Sequence, residues 1–270
     1  MNFTVLLSIY HKEKPIYLRE SLNSLFSQSL LPSEIVLVKD GPLTPELEEV
    51  ISQYLQKYEI LKVIALPLNQ GLGKALNEGI NHCTCELIAR MDTDDIAKPN
   101  RFERQISIFK EHPEIDVVGA WIDEFEGDTN NIISTRKLPE FPSEIYRFAK
   151  KRSPLNHPVA MFRKSAVLNA GGYVHFSLLE DYYLWIRMLM NGSNFYNIPE
   201  SLLYFRFSSD MFKRRGGWKY AWNELRFQNM IRKMGFITSL EFLYNIILRF
   251  MARIMPNTLR IVLYKKVLRR

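Results

Sequence analysis

Residues 91–95 read Met-Asp-Thr-Asp-Asp, so three carboxylates fall in four positions directly after the apolar stretch Leu87-Ile88-Ala89. Like charges this close repel and cost stability unless solvent or a cation screens them. Something positive is expected there. A second acidic pair, Glu180-Asp181, precedes the run Tyr-Tyr-Leu-Trp-Ile-Arg-Met, and a helix starting at that point projects both carboxylates from its N-terminus. Helix capping competes with chemistry at both places, because aspartate suits the position just before a helix. Ahead of a helix starting near Lys98-Pro99, capping accounts for one of the three aspartates and not for all of them.

The elements that must carry these groups are legible as strands alternating with helices. Residues 3–10, 34–40, 61–67 and 86–92 are short, apolar and bounded by polar or turn residues, as buried parallel strands are. Helical periodicity fills 17–29, 45–58 and 71–83 between them, then 98–111, and a further strand is predicted at 116–125. This is the order of a doubly wound α/β sheet with helices on both faces. Residues 126–155 read as a looser crossover. In such sheets ligands bind beyond the carboxyl ends of the strands. Ser8 and Tyr10, Asp40 before Gly41-Pro42, and the aspartates at 92, 94 and 95 therefore converge on one sheet edge. No G-x-G-x-x-G follows the first strand and no G-x-x-x-x-G-K-[ST] occurs, so neither a dinucleotide turn nor a P-loop is supported.

The chain has 270 residues and a net charge of +7, unevenly placed. Residues 213–270 hold fourteen Lys and Arg against Glu224 and Glu241, which leaves 22 basic and 27 acidic residues in 1–212. Cys83 and Cys85, one residue apart, suit neither a disulfide nor a metal site by themselves and point to a reducing compartment. The N-terminal stretch lacks a basic n-region and reads as a strand rather than a signal peptide, so a cytoplasmic protein is expected.

Taken in order, LSIY (7–10), VKDGP (38–42), NQGLGKALNEG (69–79), MDTDD (91–95), NHPVAMFRKS (156–165), GGY (171–173) and LLEDYYLWIRM (178–188) resemble the family 2 inverting glycosyltransferases with the GT-A fold. More narrowly they resemble bacterial enzymes that extend O-antigen units on a polyprenyl diphosphate lipid. The resemblance covers roughly residues 1–210 and implies a Rossmann-like, doubly wound mixed sheet. It divides the chain into a catalytic domain at 1–212, with a nucleotide-binding half (1–125) and an acceptor-binding half (126–212), and a helical extension at 213–270.

The resemblance also implies roles. A UDP-sugar, with galactose or glucose favoured, is the donor, and a lipid-diphosphate-linked saccharide is the acceptor, joined through a β linkage. Asp94 is the most direct metal ligand, Asp92 lies toward ribose or metal, and Asp95 supports either; hard oxygen ligands favour Mg²⁺ or Mn²⁺. Ser8, Tyr10 and Asp40 match positions around uracil and ribose, and Asn69 to Asn77 wraps the nucleotide, with Lys74 toward a phosphate or base oxygen. Local chemistry alone would make Lys74 an exposed helical lysine and Asp40 an Asx turn. Asp181 is the implied base, Glu180 supports acceptor binding, His157 is placed with the acceptor, the metal or the diphosphate, and Arg206 lies near the diphosphate. Core packing is the reading for Trp121 and Trp185.

The tail supplies its own pattern. Leu240, Leu243, Tyr244, Ile247, Leu248, Met251, Ile254 and Met255 share a helical face, with Glu241, Asn245, Arg249 and Arg253 as a narrow polar stripe. Glu241 and Arg249 interrupt the run short of the roughly 20 residues that a spanning helix needs. With IVLYKKVLRR (261–270) this suggests a basic amphipathic region lying on an anionic membrane, at the cytoplasmic face of the bacterial inner membrane, rather than on nucleic acid. The alternative for the tail is a helical hairpin packed on the body. For the whole chain, the alternatives are a sugar-phosphate nucleotidyltransferase, whose triphosphate loop HKEKP (11–15) supplies poorly, and a catalytically silent membrane-associated saccharide-binding protein.

Overall fold

Four of the predicted strands form the parallel heart of one sheet: β1 (Phe3–Ile9), β2 (Glu34–Lys39), β3 (Leu61–Ala65) and β4 (Leu87–Arg90). The computed structural model describes residues 1–207 and 217–254. Side chains alternate between faces at period two. Val5, Leu7, Ile35 and Leu37 enter a core with Leu18 and Leu22 of α1 (Pro15–Phe26) and Val50 of α2 (Pro45–Lys57). Leu6, Val36, Val38 and Ile88 enter a second core with Leu76 and Ile80 of α3 (Leu72–His82). In space the order is β3-β2-β1-β4, so the winding reverses between β1 and β4. A crevice at such a reversal is where α/β sheets bind ligands.

Beyond β4 the sheet becomes mixed. β8 (Met161–Arg163) runs antiparallel to β4 and to β6 (Val117–Phe125), and β9 (Phe195–Arg206) runs parallel to β6. β5 (Ile96–Ala97) pairs with β9 and β7 (Ile132–Arg136) with β6, giving nine strands. The helices α4 (Arg101–Glu111), α5 (Pro142–Ala149), α6 (Lys164–Asn169) and α7 (Glu180–Met190) cover this half. The stretch at 126–155 thus contains a strand and a helix. β7 escapes periodicity because it is an edge strand with no alternation of burial, and α5 because it is two turns long and buries only Ile145 and Ala149. Trp185 is fully buried as expected; Trp121 is half-exposed, its indole N–H donating to the Leu138 carbonyl at 3.0 Å. Cys83 and Cys85 are both free thiols.

Helix α3 approaches the sheet closely because it carries Gly79. A Cβ there would lie 2.3 Å from Leu6 Cδ1 and 2.8 Å from Val38 Cγ2, both in the core. Gly79→Ala should therefore cost about 1–3 kcal/mol of unfolding free energy, readable as a lower urea midpoint, despite the better helix propensity of alanine.

Glu34 ties three strands together at the opposite end. It accepts from Thr4 Oγ1 (2.5 Å), Lys62 Nζ (2.7 Å) and the Thr84 backbone N–H (2.6 Å). Burial alone would raise its pKa, but these donors outweigh that effect and hold it at about 2. A carboxylate depressed in this way stabilises the fold fully above its unfolded value and progressively less as pH falls towards 2. Glu34→Gln should accordingly lower the melting temperature at pH 7 and flatten its decline between about pH 4.5 and 2.

The C-terminal part is a hairpin of α8 (Trp218–Lys233) and α9 (Ser239–Ile254). Phe227, Ile231, Phe236 and Ile237 anchor it in the second core. Glu241 and Asn245, the described members of the expected polar stripe of α9, face the body. Asn245 is 3 % exposed and donates to the Lys150 carbonyl (2.8 Å) and Gln228 Oε1 (2.9 Å), while Glu241 meets Lys150 Nζ at 3.0 Å. Leu240, Leu243, Tyr244, Ile247 and Leu248 face outward, with Leu240 at 81 % exposure. The side chains of Arg249, Met251, Arg253 and Ile254, together with Met255 and the 261–270 stretch, lie outside the described residues. No helix among the described residues is long and apolar enough to cross a membrane.

Candidate active site

The aspartates sit at the carboxyl end of β4, beside the carboxyl end of β1 and thus at the reversal of the sheet. Asp92, Asp94 and Asp95 each bring one carboxylate oxygen within 4.8 Å of the others. They do not cap α4, whose N-cap is Asn100, five positions beyond Asp95. Burial, and then the neighbouring charges of Asp92 and Glu13, push the Asp94 carboxyl up to about 7. Asp95 is pushed well above the usual range by burial and by Asp94 and Asp92. Asp95 Oδ1 accepts the Arg206 backbone N–H at 2.9 Å, whereas its buried Oδ2 has no hydrogen-bond partner. An orphaned buried carboxylate oxygen among converging oxygens, with no sulfur or imidazole in the set, fits a hard divalent cation such as Mn²⁺ or Mg²⁺.

Three charged residues at this cluster have no sequence signal of their own. Arg90 ends β4 with 1 % exposure, and its Nη2 donates to Asp92 Oδ1 while Nε and Nη1 are without hydrogen bonds. Beneath it Arg101 donates to the Arg90 carbonyl at 2.6 Å, and burial together with Arg90 lowers its pKa to about 9. Glu13, in the loop after β1, accepts from Thr93 Oγ1 at 3.2 Å and adds a fourth carboxylate near the aspartates. Burial, the largest influence on it, raises its pKa.

The nucleotide-side residues divide into exposed groups and clamps. Ser8 is half-buried, and Tyr10, Asn69 and Lys74 are exposed along the crevice from β1 to the first turns of α3. Asp40 is buried, and both its oxygens accept backbone N–H groups, from Gln70 at 2.7 Å and Gly71 at 3.0 Å. These are not the local contacts of an Asx turn; they hold the 69–71 loop from thirty residues away in sequence. Gly41 (φ +86°) allows that loop to lie against it, since a Cβ would stand 2.6 Å from the Asn69 nitrogen. Asn77 is likewise turned inward, exchanging two 2.7 Å hydrogen bonds with the Tyr173 backbone. Arg206 belongs to β9, and its guanidinium lies over Tyr17 (4.0 Å) and Phe125 (4.6 Å) while donating to Glu20 and to the Asp94 carbonyl. These contacts, with the Arg206 N–H donated to Asp95, tie β9 to the aspartate loop.

The acceptor-side groups meet this crevice through Tyr173. Glu180 and Asp181 open α7, whose N-cap is Leu179, after Leu178 in the left-handed region at φ +65°. A Cβ on Gly73 in α3 would lie 3.5 Å from both Glu180 Cγ and Tyr173 Cβ, so the starts of α3 and α7 adjoin. Burial raises the Glu180 pKa, followed by the charge of Asp181. The Tyr173 hydroxyl is 2.8 Å from His157 Nε2. Burial raises the tyrosine against a smaller opposing effect of Arg90, while burial and then Arg90 push His157 well below its usual value. His157 is therefore neutral and joined to Tyr173, and it packs edge-on against Trp185. Asp181 and Asp92 both act electrostatically on the Tyr173 phenol, each adding to the rise of its pKa.

A mixed α/β sheet with a carboxylate cluster at its reversal point and a second acidic pair opening a helix beside α3 defines a nucleotide-sugar-type transferase fold of the GT-A class. The chain belongs to glycosyl transferase family 2, whose model matches residues 4–170. It is 39% identical over 268 residues to an Escherichia coli UDP-Gal:alpha-D-GlcNAc-diphosphoundecaprenol beta-1,3-galactosyltransferase, covering 99% of this chain and 97% of that one. It is 41% identical over 270 residues to the amylovoran biosynthesis glycosyltransferase AmsE of Erwinia amylovora, covering 98% of each. In structure it resembles the mannosyltransferase PcManGT from Pyrobaculum calidifontis, solved with GDP-Man and Mn2+, with a TM-score of 0.65 at 15% identity over 91% of this chain and 68% of that one.

Proposed function

We propose that the chain transfers a hexose, galactose or glucose, from a UDP-sugar to a polyprenyl-diphosphate-linked saccharide in bacterial surface polysaccharide synthesis, with inversion to a β linkage. The observation that carries this reading is the three-carboxylate cluster at the carboxyl end of β4, together with the Glu180-Asp181 pair that opens α7 where this helix adjoins α3. It is supported by the activity named for the E. coli relative, which aligns with this chain along nearly its whole length.

Asp92, Asp94 and Asp95 would hold the cation, Mn²⁺ or Mg²⁺, which when bound neutralises the charge gathering on the departing UDP. Arg90 fixes Asp92, and Arg206 fixes the Asp94-Asp95 turn. Ser8, Tyr10, Asn69 and Lys74 line the nucleotide path, with Asp40 holding its loop in shape. Asp181 removes the proton of the attacking acceptor hydroxyl on the face opposite UDP, and Glu180 orients that acceptor. His157 and Asn77 act through Tyr173, as positioning residues that lock the acceptor segment to α3.

The acceptor side is suited to a lipid-borne substrate. Val174 and Leu178 are exposed in the loop before Glu180, and Asn223 of α8 holds that loop through the Ser177 carbonyl at 2.7 Å, beside the exposed Trp218 and Trp222. The outward apolar face of α9 and the basic balance of 213–270 support peripheral attachment at the cytoplasmic face of the inner membrane.

The test supplies UDP-galactose or UDP-glucose, Mn²⁺ and a GlcNAc-diphosphate-lipid mimic. Equal yields of UDP and β-linked disaccharide are expected. Release of pyrophosphate, or no transfer from any UDP-hexose, would overturn the reading.

A further inference from the structure

The outward face of α9 does not stand alone: α5 places basic residues along its edge. A cleft of about 470 Å³ between the two helices is lined by Arg147, Lys150, Lys151, Leu240, Glu241, Tyr244 and Asn245. Among those residues three cations face one carboxylate, and that carboxylate, Glu241, is already held by Lys150 at 3.0 Å. The balance of the cleft is positive. Arg147 and Lys151 are exposed, and Lys151 Nζ lies 5.9 Å from the centre of the Tyr244 ring. From there the surface continues as Leu243, Ile247 and Leu248.

The sequence pattern alone attaches the positive charge to the tail. The structure adds cations from the body, because seating Glu241 and Asn245 inward turns the apolar arc of α9 to the outside and brings the basic end of α5 alongside. Cations, then an amphipathic tyrosine, then aliphatic side chains is the order in which a bilayer presents phosphate, glycerol and acyl chain. We propose that the α5–α9 cleft is a binding site for the phosphate headgroups of anionic phospholipids, with Arg147 and Lys151 as the headgroup ligands and Leu243 and Ile247 entering the acyl boundary. The proposal deepens the peripheral attachment proposed above and rests on it. The occupant is an anionic bilayer and not a second copy, because two such clefts would bring like charges together.

The full-length protein is tested by flotation with vesicles of phosphatidylcholine, with and without phosphatidylglycerol, at low and high salt. Binding should favour the phosphatidylglycerol vesicles and weaken with salt. Arg147→Glu combined with Lys151→Glu should lower that binding by about tenfold or more, and Ile247→Glu should lower it on both kinds of vesicle. Transfer to a short-chain, water-soluble acceptor should be unchanged in these variants. If the charge reversals impair folding, Arg147→Gln with Lys151→Gln decides the matter by the same assay. Equal binding to both vesicles, binding unaffected by the Arg147 and Lys151 changes, or a stable dimer in place of vesicle binding overturns the proposal. Loss of transfer to the soluble acceptor by the unaltered protein would instead count against the glycosyltransferase reading, and vesicle binding would be judged separately.

Discussion

Asp94→Asn should reduce sugar transfer by about 10³-fold, a loss comparable with removing a principal source of electrostatic stabilisation from a leaving group. The same variant should bind Mn²⁺ more weakly by calorimetry. Its stability should move the other way. Asp94 is destabilised as an anion by burial and by Asp92 and Glu13, and its carboxyl stands at about 7. An acid raised in this way binds its proton more tightly in the folded state, so the metal-free protein loses stability as pH rises from about 4 to 7. Asn at this position removes that loss. Without cation and near pH 7 the variant should melt higher than the unaltered protein, while added Mn²⁺ raises the melting temperature of the unaltered protein far more. An Asp94→Asn protein with full activity, or one that still gains as much from Mn²⁺, would remove this residue from the cation site.

Asp181→Asn is expected to lower kcat by about 10²–10⁴-fold, the range that a positioned general base supplies. UDP and Mn²⁺ affinity should persist, because Asp181 lies in the first turn of α7 and is not one of the three clustered aspartates. Glu180→Gln should act mainly on the KM for acceptor. The split separates the two neighbours: a kcat effect at Glu180 with none at Asp181 would reverse their roles.

How far the sequence discloses all this depends on the kind of signal each residue leaves. β1, β2 and β4 each carry a continuous apolar run because both faces are buried, and composition alone marks them. The three aspartates announce themselves by local charge density. Arg90 and Glu13 do not, because their significance lies in contacts at the cluster, one of which crosses eighty residues from Thr93 to Glu13. Asp40, Asn77 and Arg206 have partners that motif position alone does not disclose: their side chains are engaged by Gln70 and Gly71, by Tyr173, and by Glu20 and the Asp94 carbonyl. On α9, periodicity correctly groups Glu241 with Asn245, but it fixes which residues share a face and not which face turns inward.

The seat of Glu241 and Asn245 against α5 and α8 gives α9 a single rotational setting. A protein that settles on a surface through such a helix would arrive in one pose, with its crevice at a constant height above the plane. Acceptors would then be sorted by a ruler: only a saccharide whose growing end reaches that height could meet Asp181, and chain length would be read without any sugar being recognised.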